Sequence, residues 1–175
     1  MATKVISMAA TKAIDGIPEK TRWEVATQKM TGAYTAISNA LQKAAGQKGF
    51  EAFNGPFWRQ AGKEAKDFAG SVGIPGKTAP EIEQVAHLMA EVAMGPEFAF
   101  QIVESSKDRC VGRATACPWH NRAKEQGLDF DPCGAGHQNW GDGVTESLNP
   151  DYSFKLLKNM NRGDAYCEWV VERKK

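Results

Sequence analysis

Two of the four cysteines and two of the three histidines of this 175-residue chain lie in one short stretch, CPWHNRAKEQGLDFDPCGAGH. Two residues separate Cys117 from His120, and three separate Cys133 from His137. Twelve residues lie between the two pairs. Thiols and imidazoles bind zinc and also serve as nucleophiles and bases in covalent catalysis. The stretch therefore supports a metal site, a covalent active site, or small side chains in an ordinary core.

The metal interpretation follows from the spacing, which is close to that of a small zinc module with its ligands in a permuted Cys-His-Cys-His order. Cys167 is a further candidate ligand, because it lies on a predicted strand that returns to the same region. Zinc or an iron–sulfur cluster would then be held by four residues, Cys117, Cys133, His137 and Cys167. Against a metal, the chain is long enough to fold without one, and Pro118 starts a helix where zinc ribbons have a tight knuckle.

The covalent interpretation rests on Cys117, which directly precedes a predicted helix. The positive end of a helix dipole favours a thiolate. Arg113 and Arg122 are close in sequence, and either one is a candidate to stabilise the thiolate or to bind a substrate carboxylate. His120 and His137 are both candidates for the general base. Free cysteines are also common as small buried hydrophobic residues, so a purely structural role stays open.

Composition narrows the class of protein. The chain has 22 Lys and Arg against 21 Asp and Glu, and the two signs are interspersed. Nucleic-acid and membrane-surface binding depend on clustered cations, so neither partner is expected. The sequence also contains no apolar run of about eighteen residues, and no membrane-spanning helix is predicted. We expect a cytoplasmic protein, a compartment in which thiols stay reduced.

The first half of the chain is predicted to be helical. Residues 1–18 read as a flexible arm, and three helices follow in residues 19–95. The second helix is predicted to begin near Asn54, and the third at Thr78, whose Thr-x-x-Glu pattern is typical of a capping box. In the first helix, apolar residues recur every three or four positions and predict its buried face: Trp23, Ala26, Met30, Ala33, Tyr34, Ile37, Leu41 and Ala44.

The second half, residues 96–175, predicts two pairs of short strands with two helices between them. Helices followed by strand pairs are typical of an α+β fold with an antiparallel sheet. We therefore expect residues 19–175 to form one α+β domain, with a four-stranded antiparallel sheet covered by helices on one face. The long apolar face of the first helix makes a homo-oligomer through the N-terminal helices a further expectation.

The C-terminal 80 residues resemble the L-2-amino-thiazoline-4-carboxylic acid hydrolase-like family. The last part is also similar to the end of the 4-vinyl reductase ligand-binding domain, an α+β fold with a small-molecule pocket. The features that carry the resemblance occur in the family's order: Cys117-Pro118 followed by a helix, Cys133, Trp140, Leu148-Asn149-Pro150, and Gly163-Asp164 followed by Tyr166-Cys167-Glu168.

This resemblance implies hydrolysis of a carbon–nitrogen bond in a small cyclic amidine or thiazoline, which yields an N-carbamoyl amino acid. Cys117, Cys133 and Cys167 match the family's cysteines, and His137 lies near them in sequence. One thiolate would attack the ring C=N carbon, and a histidine would shuttle protons. Substrate contacts are expected from four residues, Arg113, His120, Arg122 and Trp140. The alternative is a non-catalytic module that binds a small molecule or a metal.

Overall fold

The computed structural model describes residues 13–175, so the first twelve residues of the expected arm lie outside the described residues. Five helices follow in chain order: α1 (Glu19–Lys63), α2 (Ala65–Val72), α3 (Ala79–Met94), α4 (Pro118–Glu125) and α5 (Gly134–Leu148). Four strands complete the fold: β1 (Ala99–Ser105), β2 (Arg109–Ala116), β3 (Tyr152–Lys158) and β4 (Cys167–Arg173). A short 3-10 helix, Met160–Arg162, lies between β3 and β4.

The strands form one antiparallel sheet in the order β1-β2-β4-β3. Alternate residues of β2 and β4 point to the inner face, where Cys110 pairs with Val171 and Ala114 pairs with Cys167. These four side chains are buried in the core with residues of α3 and α5. The predicted α+β class, with an antiparallel sheet after the helices, is confirmed. None of the helices in the described part of the chain is long and apolar enough to cross a membrane.

Helix α1 consists of two helical segments that meet at Gly46. It changes direction at Gly46, whose φ of 68° is accessible mainly to glycine, and then continues through Pro56. The prediction of a new helix starting near Asn54 is therefore wrong. Pro56 and Ala52, the residue four positions earlier, are both exposed, so the carbonyl that proline leaves without a helical partner lies where solvent can reach it.

The face of α1 that packs against the protein also differs from the prediction. Before Gly46, the buried residues of α1 are polar: Thr27, Thr31, Thr35 and Ser38. The predicted core residues Met30 and Ile37 are 45% and 63% exposed. Burial of threonine is inexpensive here, because the Thr31 and Thr35 hydroxyls each donate at 2.8 Å to the carbonyl four residues earlier in the same helix. Met30 and Ile37 are left outside, and self-association through exposed apolar residues of this kind stays a prediction.

Helix α5 is held between α1 and the sheet by close backbone contacts at glycines. A Cβ atom at Gly143 would overlap the carbonyl oxygen of Arg59 on α1. On the opposite side, a Cβ atom at Gly141 would overlap the ring of Phe154 on β3. Only glycine lets both neighbours approach this closely, so these two positions set where α5 lies.

Gly143→Ala should destabilise the protein by about 1–3 kcal/mol, because overpacking at a backbone contact forces α1 and α5 apart. The matched control is Gly70→Ala on α2, where an added Cβ has no atom within 4 Å. That change should stabilise by about 0.5–1 kcal/mol, since alanine is the better helix former. Urea denaturation of both variants measures the difference. Equal effects at the two positions would contradict the packing argument.

A carboxyl group is buried in the core beneath the sheet. Glu83 of α3 is completely buried, and both of its carboxyl oxygens lie within 3.0 Å of the Trp169 indole nitrogen, which donates to them. Burial raises the pKa of Glu83 from 4.5 to about 8, although the Trp169 hydrogen bond opposes the shift. Glu83 is therefore protonated and uncharged at neutral pH.

The raised pKa of Glu83 makes the stability of the folded protein depend on pH, and the sign of this dependence follows from the direction of the shift. Between pH 4.5 and about 8 the folded protein keeps a proton on Glu83 that the unfolded chain releases, so this group's contribution to stability falls as pH rises. The Glu83→Gln variant removes this pH dependence. Its side-chain carbonyl can still accept the Trp169 hydrogen bond. Relative to the wild type, the variant should gain up to about 1.4 kcal/mol of unfolding free energy per pH unit in this window. Urea titrations at pH 5, 6.5 and 8 test this, and a constant difference would refute it.

Candidate active site

Three of the four cysteines come together where α4, α5 and β4 begin. Burial raises the pKa of the Cys133 thiol well above its ordinary value, and Cys117, Asp131 and Cys167 are close enough to raise it further. The three are free thiols, as is Cys110, which lies in the core on β2. The predicted grouping of three cysteines from distant parts of the chain is therefore present, and we call these three residues the thiol cluster.

Cys117 occupies the position before α4, with Pro118 at the first helical position. The backbone N–H groups of Trp119 and His120 lie near its sulfur and favour the thiolate, although the Cys117 side chain makes no capping hydrogen bond to α4. Burial acts in the opposite direction and is the larger effect, so the pKa of Cys117 is raised. The helix-end geometry expected from the sequence is present, but the resting thiol is protonated at neutral pH.

Cys167 lies on the inner side of the cluster. Its sulfur accepts the backbone N–H of Met160 at 3.4 Å, and its thiol faces the Asn159 side-chain oxygen at 3.9 Å. Burial raises its pKa to about 11. The 3-10 helix between β3 and β4 therefore closes over this thiol.

Asp131 connects the segments around the cluster. The sequence did not identify it as a site residue. Its carboxylate accepts the backbone N–H of Cys133 at 2.9 Å, the Asn159 amide at 2.8 Å and the Arg162 guanidinium at 2.9 Å. An aspartate that bonds the backbone two residues ahead is typical of a turn before a helix. The Asp131-Pro132-Cys133 stretch carried that local signal, but its contacts with Asn159 and Arg162 depend on the fold.

His137 lies one turn after Cys133 on α5. Its ring packs against Trp169 and Phe154, at centroid distances of 5.1 and 5.8 Å. Burial lowers its pKa to about 4, and nearby Asp131 offsets only part of this shift. The imidazole is neutral at neutral pH, so it can accept a proton, but it is a weaker base than an ordinary histidine.

His120 and Asn161 form the outer side of the cluster. The His120 Nδ1 atom lies 2.7 Å from the Asn161 side-chain oxygen, so Nδ1 carries the proton and donates it. The other ring nitrogen, Nε2, is then the basic one when the ring is neutral. The Asn161 side chain also hydrogen-bonds to Cys133. Asn161 thus connects a histidine to the thiol cluster, a role that the sequence reading did not assign.

Two open clefts border this network. One has a volume of about 250 Å³ and is lined in part by His120, Asp131 and Asn161. The second has a volume of about 300 Å³ and is lined in part by Asn159 and Arg162. Either volume admits a small heterocycle. The first cleft offers access to the face of the cluster on which His120 lies.

The two arginines expected to bind substrate are engaged elsewhere. Arg113 lies on the sheet, where it pairs with Glu168 at 2.6 Å and stacks 4.1 Å from the Tyr166 ring centre. Arg122 of α4 pairs with Glu97 at 3.2 Å and with an acidic neighbour on its own helix. Trp140, the fourth expected substrate contact, packs against the hydrophobic core. Among the basic residues considered, Arg162 is the one whose guanidinium reaches the cluster network, through Asp131.

The alternative metal site does not fit this arrangement. In residues 13–175, no three His, Cys, Asp or Glu side chains are grouped so that they could hold a metal ion. The set Cys117, Cys133, His137 and Cys167 shares one region of the protein without forming such a group.

Comparison with known proteins identifies the family. The sequence profile described as L-2-amino-thiazoline-4-carboxylic acid hydrolase matches residues 13–170, which include α1 and all of the thiol cluster. The chain belongs to this hydrolase family. The match extends the resemblance seen in the C-terminal half to nearly the whole chain. No curated protein matches the sequence significantly.

Solved structures share the fold at low sequence identity. Subunit 3 of a trafficking protein particle complex from Naegleria fowleri, covalently bound to palmitic acid, is 14% identical with a TM-score of 0.60. The similarity covers 87% of this chain and 97% of that chain. The phenol-responsive sensory domain of the transcription activator PoxR, with phenol, is 11% identical with a TM-score of 0.61. Here 82% of this chain and 74% of that chain are covered.

Asp131→Ala should destabilise the protein by about 2–4 kcal/mol, because it leaves the Cys133 N–H, the Asn159 amide and the Arg162 guanidinium without their shared acceptor. Asp129→Ala is the matched control, since Asp129 is exposed and only two residues away. Its effect should stay within about 0.5 kcal/mol. Urea denaturation of both variants checks this, and similar losses would show that Asp131 is not the structural centre of the cluster.

Proposed function

We propose that the protein is a hydrolase that opens a small ring containing a C=N bond, of the 2-amino-thiazoline-4-carboxylate type, with Cys117 as the nucleophile. One observation carries the proposal. The Cys117 thiol lies at the start of α4, where the nearby backbone N–H groups of Trp119 and His120 favour its thiolate, and His120 also lines a cleft with Asn161. Membership of the hydrolase family supports the class of reaction.

Cys117 is preferred over the other two thiols on electrostatic grounds. Cys133 has Asp131 and two thiols as neighbours, all of which oppose a negative charge. Cys167 is buried behind the 3-10 helix, with a pKa of about 11. In contrast, Cys117 has two N–H donors that stabilise the thiolate once it forms. A protonated resting thiol requires a base at the moment of attack.

His120 is suited to be that base. It follows Cys117 by three residues on the same helix and borders the cleft. Its Nδ1–H donates to Asn161, which leaves Nε2 as the proton acceptor. His137, the other candidate from the sequence, is neutral but weakly basic because of its lowered pKa. Asp131 is a positioning residue, since it holds the backbone of Cys133 and the loop that carries Asn161.

The reaction follows in two stages. The Cys117 sulfur bonds to the ring carbon of the C=N group while the thiol proton passes through His120 to the ring nitrogen. The tetrahedral adduct then expels one ring heteroatom, which takes a proton, and the ring opens. Water adds to the same carbon, the bond to Cys117 breaks, and the thiol regains its proton. The net change consumes one water. An N-carbamoyl amino acid results when the expelled heteroatom is the ring sulfur of a thiazoline.

A second candidate function is non-catalytic binding of a small molecule. It is favoured by the burial that keeps all three clustered thiols protonated, which is unusual for a nucleophile. The PoxR sensory domain, which shares the fold, is described with phenol. Under this alternative, a thiazoline would bind without being consumed.

Cys117→Ser should reduce turnover of 2-amino-thiazoline-4-carboxylate by at least about a thousandfold, because serine lacks the thiolate that the helix end stabilises. The control is Cys110→Ala, which removes a core cysteine outside the cluster and should retain turnover if the protein folds. Mass spectrometry of acid-quenched wild-type reactions should show a covalent adduct at Cys117.

Three outcomes separate the alternatives. Full turnover by Cys117→Ser would reject this residue as the nucleophile, and loss in Cys133→Ser alone would transfer the role to Cys133. Binding of the thiazoline by wild-type protein without turnover would favour the second function. Thermal melts of each variant show whether a loss reflects chemistry or unfolding.

A further inference from the structure

Four side chains outside the predicted site enclose the thiol cluster on the side of α1. Tyr34, Asn54 and Trp58 lie on α1 and Trp119 on α4; we call them the aromatic wall. The three aromatic rings pack at centroid distances of 5.0 to 5.6 Å. Trp119 follows Cys117 by two residues, and its backbone N–H lies near the Cys117 sulfur, which places the wall beside the proposed nucleophile.

Tyr34 also lies close to the cluster. Its pKa is raised to about 12, mainly by burial, and nearby Cys133 and Asp131 contribute to the shift. The aromatic wall and the thiol cluster therefore face the same interior region, although they come from opposite halves of the sequence.

Hydrogen bonds satisfy only some of the polar side-chain atoms of the aromatic wall. The Trp58 indole nitrogen donates to the Tyr34 hydroxyl at 2.6 Å, and that hydroxyl donates to the Asn54 side-chain oxygen at 2.5 Å. Two buried donors remain. Across residues 13–175, neither the Asn54 side-chain nitrogen, Nδ2, nor the Trp119 indole nitrogen, Nε1, has a hydrogen-bond partner. Asn54 is only 2% exposed, so open solvent does not satisfy it.

Buried donors without a partner destabilise a folded protein, and native structures contain few of them. A phenylalanine at position 119 would keep the ring packing and would remove the unpartnered Trp119 Nε1 donor. Two such donors on the aromatic wall are consistent with a ligand that supplies the missing acceptor.

We propose that Asn54 Nδ2 and Trp119 Nε1 bind the uncharged acceptor end of a small planar ligand whose ring packs on the aromatic wall. This inference rests on the proposed function, which places the reacting carbon at Cys117. Both donors are neutral and Asp131 lies nearby, so the wall favours an uncharged acceptor over a carboxylate. The ring nitrogen of a thiazoline and the carbonyl oxygen of a carbamoyl product are acceptors of this class.

The test compares two conservative changes with opposite expectations. Trp119→Phe removes a donor that has no partner, so the ligand-free protein should melt at the same or a higher temperature. Its affinity for 2-amino-thiazoline-4-carboxylate should fall roughly tenfold, as expected for one lost hydrogen bond. Trp58→Phe is the matched control. It removes a satisfied donor, so it should lower the melting temperature and change affinity less.

Asn54→Asp gives an independent variant. It keeps the oxygen that accepts from Tyr34 and replaces the Nδ2 donor with a second oxygen, so binding should weaken even if the fold is retained. Tyr34→Phe is its control, because it removes the Tyr34–Asn54 hydrogen bond but leaves the Nδ2 donor in place. Tyr34→Phe should therefore lower the melting temperature and largely spare affinity.

Binding is measured by quenching of tryptophan fluorescence and turnover by product formation, so two kinds of failure are distinguishable. If the wild type binds without turnover, and Trp119→Phe and Asn54→Asp weaken that binding, this inference holds and the hydrolase proposal fails. If turnover occurs and both variants keep the wild-type KM, this inference fails and the hydrolase proposal stands. Absence of any thiazoline binding by the folded wild-type protein would also overturn this inference about Asn54 and Trp119.

Discussion

The position of one helix, α5, determines the geometry of the whole site. Its glycines allow the backbone of α1 on one side and a phenylalanine of the sheet on the other to approach closely. Cys133 and His137 lie on the first turns of this helix, and the aromatic wall projects from α1 directly across it. A third close contact, between Gly136 and Trp58, joins helix and wall. The thiol cluster is buried because α1, α5 and the sheet pack so closely against one another.

Burial then controls the chemistry. The start of α4 places two backbone N–H groups near Cys117, an arrangement that favours a reactive cysteine. Removal of water outweighs those donors, and the same removal leaves His137 neutral. Burial therefore keeps the three thiols and His137 uncharged at neutral pH. A reaction in such a site depends on how well protons are passed between neighbours, which gives the hydrogen bond between His120 and Asn161 its importance.

Local signals in the sequence predicted much of the fold. The α3 cap is confirmed by the Thr78 side chain, which accepts the Glu81 N–H, and both strand pairs are present. The face of α1 was not predictable from hydrophobicity, because threonines such as Thr31 satisfy their hydroxyls within the helix. In the site, the cysteine grouping followed from one short stretch and a family resemblance. Asp131 and Asn161 were missed because their partners lie about thirty to forty residues away.

The protonated state of the cluster also has a consequence for its lifetime. Peroxides and oxygen-derived oxidants attack thiolates much faster than thiols, and they need access to the sulfur. Three cysteines gathered in one place would ordinarily be prone to sulfenic acid formation and cross-linking. Here burial suppresses the reactive form of each. The burial that keeps the three thiols protonated therefore also protects them from oxidative loss.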